Sequence, residues 1–166
     1  MKLPKIYKDK DVDIGLIQDR CVAIIGYGNQ GRAQALNLSD SGANVRIGLR
    51  VESERRVEAE IEGFICLSLK EAVESCDIIS ILVPDQVMGE VYQEYIKPNM
   101  KEGQTLLFSH GYNIHYGVIQ PPECINVVMA APSGAGTELR RRYTDESGIP
   151  GLFAVHQDHS GDSEKI

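Results

Sequence analysis

Apolar residues along the chain alternate between short unbroken runs and helix-spaced stretches. The first run, Cys21-Val22-Ala23-Ile24-Ile25, ends at a glycine. A run of this kind predicts a strand buried on both faces, as in a parallel sheet. From Asn29 the spacing turns helical: Ala33, Leu36, Asn37 and Leu38 keep small and apolar residues to one side, and Gly42 is a good stop. The alternation continues with a strand over Val45 to Leu49, a charged helix from Ser53 to Ile61 stopped near Gly63, and a strand over Phe64 to Cys66. Ser68-Leu69-Lys70-Glu71 has capping-box spacing and opens a helix to Ser75. Asp77 to Val83 is a strongly apolar strand closed by Pro84, and Val87 to Ile96 is a helix whose extension Pro98 blocks. Thr105 to Phe108, Ile125 to Ala130 and Leu152 to Val155 complete the strands. Strands spaced by helices of about ten residues indicate βαβ units. The fold class is therefore α/β, a Rossmann-type doubly wound, mostly parallel sheet with helices on both faces.

Composition narrows the function. The 166 residues suit one domain, with 42% hydrophobic and 25% charged residues, which excludes a disordered tail, a collagen-like fibre and a disulfide miniprotein. A formal net charge of −7 argues against a nucleic acid partner, which needs clustered positive charge, and leaves room for a small local anion site. The lysines of Met1 to Lys10 are not followed by an apolar stretch of signal-peptide length. The apolar runs fall far short of the roughly 18 residues of a membrane span. A cytoplasmic protein without membrane contact is expected. Cys21, Cys66, Cys76 and Cys124 form no C-x-x-C pair, and the first three, in or beside apolar segments, read as buried free thiols.

Gly26-Tyr27-Gly28-Asn29-Gln30-Gly31 is a G-x-G-x-x-G fingerprint lying between a predicted strand and a predicted helix. In that context the first glycine allows a tight turn, the second lets a pyrophosphate approach the backbone, and the third lets helix and strand pack closely. Free N–H groups at the helix start then face the anion. About 20 residues on, where an NAD enzyme carries an acid for the ribose, the chain has Gly48-Leu49-Arg50, then Ser53, Arg55 and Arg56. Guanidinium and hydroxyl suit a ribose phosphate, so NADP is preferred over NAD. Glu52 and Glu54 oppose this, and Arg55 and Arg56 also fit a solvated helix face.

Further loops follow the later strands, on the edge where parallel sheets bind ligands. Pro84-Asp85-Gln86 lies after the fourth, with Asp85 placed to cap the next helix. Ser109-His110-Gly111-Tyr112-Asn113-Ile114-His115 follows the fifth. An imidazole there is placed to reach a nicotinamide or substrate and shuttle protons, the alternative being a polar loop histidine. Ala131-Pro132-Ser133-Gly134-Ala135-Gly136 follows the sixth, and Arg140-Arg141-Arg142 reads as a solvated charge cluster. His156 and His159 have no carboxylate or third histidine to support a metal and fit a surface loop.

Taken together, these segments resemble the amino-terminal domain of ketol-acid reductoisomerase, the acetohydroxy acid isomeroreductase of branched-chain amino acid biosynthesis. The likeness runs through Lys5-Ile6-Tyr7, the strand and fingerprint from Ala23 to Gly31, Ala33 to Leu38, Asp40-Ser41-Gly42, Gly48-Leu49-Arg50, Val83-Pro84-Asp85, His110 to His115, Pro121-Pro122 and Ala154 to Asp158. The resemblance implies that residues 1–166 form an NADPH-binding domain. It implies a two-step reaction on a 2-hydroxy-2-alkyl keto acid, acetolactate or acetohydroxybutyrate: a magnesium-dependent alkyl migration, then reduction by NADPH to a dihydroxy acid. By position, Gly26, Tyr27, Gly28, Asn29, Gln30 and Gly31 contact the cofactor backbone, and Arg50 and Ser53 hold the ribose phosphate. Asp85, Gln86, Val87 and Met88 form the next cofactor loop, Gly136 lies near the nicotinamide, and His110 is the active-site histidine. Two departures stand out. Ser133 occupies the position of a family lysine, removing a cation near the substrate. The family's magnesium-binding carboxylates belong to a helical second domain expected beyond Ile166, so no metal ligand is assigned here. That second domain or subunit, and a homo-oligomer, are the expected partners. Another small NADP-dependent reductase and a non-catalytic nucleotide-sensing module are the alternatives.

Overall fold

A computed structural model of the chain describes residues 5–165. A short helix α1 (Gly15–Gln18) leads into β1 (Cys21–Ile25), α2 (Asn29–Asp40), β2 (Asn44–Gly48), α3 (Arg55–Ile61), β3 (Ile65–Leu67), α4 (Leu69–Ser75) and β4 (Ile78–Ile81). The chain continues through α5 (Asp85–Val91), β5 (Thr105–Phe108), α6 (Tyr112–His115), β6 (Asn126–Pro132), α7 (Gly136–Thr144) and β7 (Gly151–Gln157). The sheet order is β3-β2-β1-β4-β5-β6-β7. β1 to β6 run parallel, and β7 returns antiparallel to β6 with a register shift at Val127/Val128.

The pleat divides the central strands between two cores. Ala23 and Ile25 of β1 join Ile79, Ile81, Leu106 and Phe108 in a cluster covered by Leu69, Ala72 and Val73 of α4 and Met88 of α5. Val22 and Ile24 point the other way, to Ile47, Ala35 of α2 and Ala59 of α3. A strand apolar at every position is what a sheet with helices on both faces requires, and the doubly wound fold read from the sequence is the fold observed. The Ser68 hydroxyl accepts from the Glu71 N–H at 3.2 Å, and the Glu71 carboxylate accepts from the Ser68 N–H at 3.0 Å. The capping box predicted for α4 is thus complete.

Four differences from the sequence reading have physical causes. The helix expected over Val87 to Ile96 starts at Asp85 and continues past Val91 as a π-helical turn, Tyr92–Ile96, before a 3-10 turn that contains Pro98. α7 was not foreseen, because it docks on α2 through polar groups instead of an apolar stripe. Arg140 pairs with Asp40 at 2.7 Å and donates to Asn37 at 2.9 Å, while the Tyr143 and Ser41 hydroxyls meet at 2.8 Å. Arg140 is therefore an interhelix tie, whereas Arg141 and Arg142 form exposed pairs with Glu138. Lastly, Cys21 and Cys76 are joined as a disulfide where free thiols were expected, because Cys21 opens β1 and Cys76 lies two residues before the neighbouring β4, Cα to Cα 4.6 Å. Cys66 and Cys124 stay free, and burial pushes the Cys66 thiol pKa up.

Candidate functional site

From β1 the chain winds outward through β2 to β3, then crosses to β4 on the other side of β1. The β1–β4 junction is a topological switch point, where an open α/β sheet leaves a crevice at the carboxyl ends of its strands. The fingerprint lies on that edge. Gly26, directly after β1, has φ of +100°, a left-handed conformation that disfavours a side chain, and its N–H donates to the Gly48 carbonyl at 3.1 Å. A Cβ on Gly31 would stand 2.2 Å from the Gly26 carbonyl oxygen, so only glycine lets α2 approach the turn this closely. Gly28 is the N-cap of α2 and gives that end no side-chain hydrogen bond. A Cβ built on Gly28 meets nothing within 4 Å. The uncapped first turn of a twelve-residue helix thus faces open space over glycine, a cradle that fits a diphosphate.

Side chains in the fingerprint have other partners. The Tyr27 ring is 2% exposed and packs edge-on to Phe64, with centroids 5.9 Å apart. Its hydroxyl donates to Glu62 at 2.6 Å. Burial first, and the Glu62 carboxylate second, push the Tyr27 phenol pKa far above its usual range. Gln30 donates to the Gly134 carbonyl at 2.8 Å, and Gln34 donates to the Ser109 hydroxyl at 2.9 Å. These two glutamines tie α2 to the loops after β6 and β5. What Tyr27 and Gln30 have left to offer a ligand is main chain.

The loop after β2 carries Arg50, Glu52 and Glu54 exposed and Ser53 half-buried. Arg56 is committed elsewhere: its guanidinium donates to the carbonyls of Cys66 at 2.9 Å, Leu67 at 3.3 Å and Leu49 at 3.5 Å. Arg55 pairs with Glu58 at 2.8 Å. Among the candidate cations of this loop, Arg50 keeps its guanidinium open to solvent.

After β4, Asp85 is the first residue of α5, but Pro84 is the N-cap and the Asp85 carboxylate caps nothing. It instead accepts from the Asn113 amide at 3.2 Å and stands 3.5 Å from His110 Nδ1. Asn113, 1% exposed, also donates to the Asp85 carbonyl at 3.4 Å and the Met88 sulfur at 3.3 Å, and its Oδ1 is buried without a partner among the described residues. Met88 is a core residue, whereas Gln86 and Val87 are exposed. His110 is 66% exposed, and its Nδ1 accepts from the Tyr112 N–H at 3.2 Å. A Cβ on Gly136 would lie 2.0 Å from the Asn29 carbonyl oxygen, so this glycine, the first residue of α7, is a contact point between α7 and the fingerprint. Ser133 is exposed, and its N–H donates to the Pro150 carbonyl at 2.8 Å. His156 lies exposed on β7, and His159 is 3.6 Å from Glu102. No group of three or more His, Cys, Asp or Glu among the described residues is placed to hold a metal ion. Sequence reasoning missed Glu62 and Asn113, whose partners lie 35 and 28 residues away.

A glycine fingerprint at the switch point of a doubly wound sheet, with an uncapped helix facing it, defines a dinucleotide-binding domain. Residues 16–166 match the family model described as acetohydroxy acid isomeroreductase, NADPH-binding domain, and the chain belongs to that family. The ketol-acid reductoisomerase (NADP(+)) of Methanocaldococcus jannaschii is 49% identical over 162 residues, covering 98% of this chain and 49% of the relative. That of Pyrococcus abyssi is 46% identical over 166 residues, covering 100% of this chain and 50% of the relative. The chain thus spans about half the length of the curated relatives it matches. Among solved structures, an NADH-preferring ketol-acid reductoisomerase from an uncultured archaeon superposes with a TM-score of 0.93 at 42% identity, over 98% of this chain and 51% of that one.

Proposed function

We propose that the chain serves as the NADPH-binding half of a cytoplasmic ketol-acid reductoisomerase. Its substrate is a 2-hydroxy-2-alkyl keto acid, acetolactate or acetohydroxybutyrate, and its product is the dihydroxy acid of branched-chain amino acid biosynthesis. The observation that carries this reading is the uncapped N-terminus of α2, set over open space on the same sheet edge as His110. NADPH, when bound, supplies the hydride. The main-chain N–H groups of Gly28, Asn29 and Gln30 hold the diphosphate. Arg50 and Ser53 hold the ribose phosphate by charge-assisted hydrogen bonds. Asp85, Gln86 and Val87 line the next side of the crevice. His110 offers its exposed imidazole to a substrate oxygen, and the Asp85 carboxylate stands 3.5 Å from its Nδ1, where it orients the ring. Magnesium and its carboxylates come from the second half of the enzyme. Magnesium held there would supply positive charge beside the neutral Ser133.

The second half packs against β7. Gly151 to His156 are all exposed, with Leu152 at 67%, Phe153 at 42% and Val155 at 39%, an apolar edge strand that a stable protein covers. Fluorescence titration tests the reading. Saturable NADPH binding, tighter than NADH, is expected, and a separately produced helical half with magnesium restores NADPH oxidation on acetolactate. Equal or undetectable binding of both nucleotides overturns it.

A further inference from the structure

We propose that Tyr27, Arg32 and Glu62 form a brace that holds the diphosphate loop and the ribose-phosphate loop at a fixed spacing, and so sets how strongly the domain distinguishes NADPH from NADH without touching either. The inference rests on the NADPH reading and adds positioning residues to it. Its starting point is Tyr27, in the middle of the fingerprint yet turned into the core, with one polar atom that needs a buried partner. That partner is Glu62, the residue that ends α3. Arg32, one residue past the fingerprint, grips the same carboxylate through Nε at 3.0 and 3.1 Å and through Nη2. Burial opposes ionisation of Glu62, but the hydrogen bonds from Arg32 and Tyr27 prevail and hold its pKa below the usual carboxylate range. The carboxylate is therefore charged, and both oxygens are occupied by fingerprint-side donors.

α3 is the helix that follows the Arg50–Ser53 loop. Its amino end is pinned by Arg56 to the carbonyls of Leu49, Cys66 and Leu67, where β2 and β3 finish. Its carboxyl end is pinned by Glu62 to the fingerprint. Held at both ends, α3 carries Arg50 and Ser53 at a set distance from Gly28. The 2′-phosphate is the group that reads this distance, since NADH has nothing there to reach for. Loosening one pin lets α3 tilt, and the phosphate contacts weaken while the diphosphate cradle stays whole.

Dissociation constants for NADPH and NADH, measured by fluorescence beside melting of the cofactor-free protein, test the brace. Glu62→Ala is expected to lower the NADPH-over-NADH preference about three- to tenfold, with NADH affinity changed less than twofold. Glu62→Gln, which keeps an acceptor oxygen for the Tyr27 hydroxyl, recovers most of the preference. Tyr27→Phe, which keeps the ring against Phe64 and loses the hydroxyl, guards against a misfolded Glu62 variant and is expected to shift the preference the same way. Parallel loss of both nucleotides, or a lowered melting temperature with an unchanged preference, overturns the brace and leaves a structural tie. Absence of NADPH binding by the unmodified chain overturns the cofactor reading itself.

Discussion

Gly136 and Arg50 show how one residue's surroundings decide its work. The resemblance places Gly136 near the nicotinamide, and the geometry gives it a packing duty against Asn29. Gly136→Ala is expected to destabilise the cofactor-free protein by about 2 kcal/mol through overpacking, a fall of about 4–8 °C in Tm for a domain of this size. Calorimetry without nucleotide measures this, and an unchanged Tm with weaker NADPH binding would return Gly136 to a cofactor contact. Arg50 is the guanidinium of its loop left open once Arg55 and Arg56 are committed. Arg50→Ala is expected to raise the NADPH dissociation constant at least about tenfold, the loss of one charge-assisted hydrogen bond, and to leave NADH unchanged. Because Arg50 is exposed, titrations at rising salt should narrow the gap between variant and parent.

At the scale of elements, the capping box of α4 is a short, fully local device, and it was legible for that reason. Ser68→Ala removes the hydroxyl that satisfies the Glu71 N–H and is expected to lower stability by about 1 kcal/mol, read from urea unfolding. The Ser68 hydroxyl and N–H hold the Glu71 pKa below its usual value of 4.5. A carboxyl group lowered in the folded state adds stability that is present above its unfolded pKa and lost as pH falls through the folded one. The Tm difference between the parent and Glu71→Gln should therefore be constant near neutrality and shrink below about pH 4.5. α7 is the opposite case. Its ties to α2 are Arg140 with Asp40 and Asn37, and Tyr143 with Ser41, all about a hundred residues apart in the chain, and no apolar periodicity announces them.

For the whole molecule, the proposed docking of a second half on β7 can be tested, because Leu152, Phe153 and Val155 remain exposed there even with Tyr7 packed edge-on to Phe153. An exposed antiparallel edge strand with apolar side chains is a surface suited to a partner. The double variant Leu152→Glu with Val155→Glu is expected to weaken recombination with a separately produced second half by at least about tenfold, since each charge is desolvated on docking. Its NADPH affinity should stay at the parent value, because β7 is the far edge of the sheet from β1. Sedimentation of the mixed halves measures the first quantity and fluorescence the second. Recombination as tight as the parent's would place the docking surface elsewhere.

The sequence alone determined whatever depends on neighbours along the chain. Doubly buried strands announce themselves by unbroken apolar runs, the α4 cap by its serine-to-glutamate spacing, and the cofactor cradle by three glycines between a strand and a helix. Family membership was legible too, because ordered motifs run through most of the chain. Tertiary structure decided which side chains remain available. It turned Tyr27 into the core, spent Arg56 on carbonyls, gave the Asp85 carboxylate to Asn113 and His110 instead of a helix cap, and joined Cys21 to Cys76. These outcomes depend on groups seven to more than fifty residues apart meeting across strand ends. Hydrogen-bond satisfaction between such groups is a property of three-dimensional proximity, which local spacing does not encode.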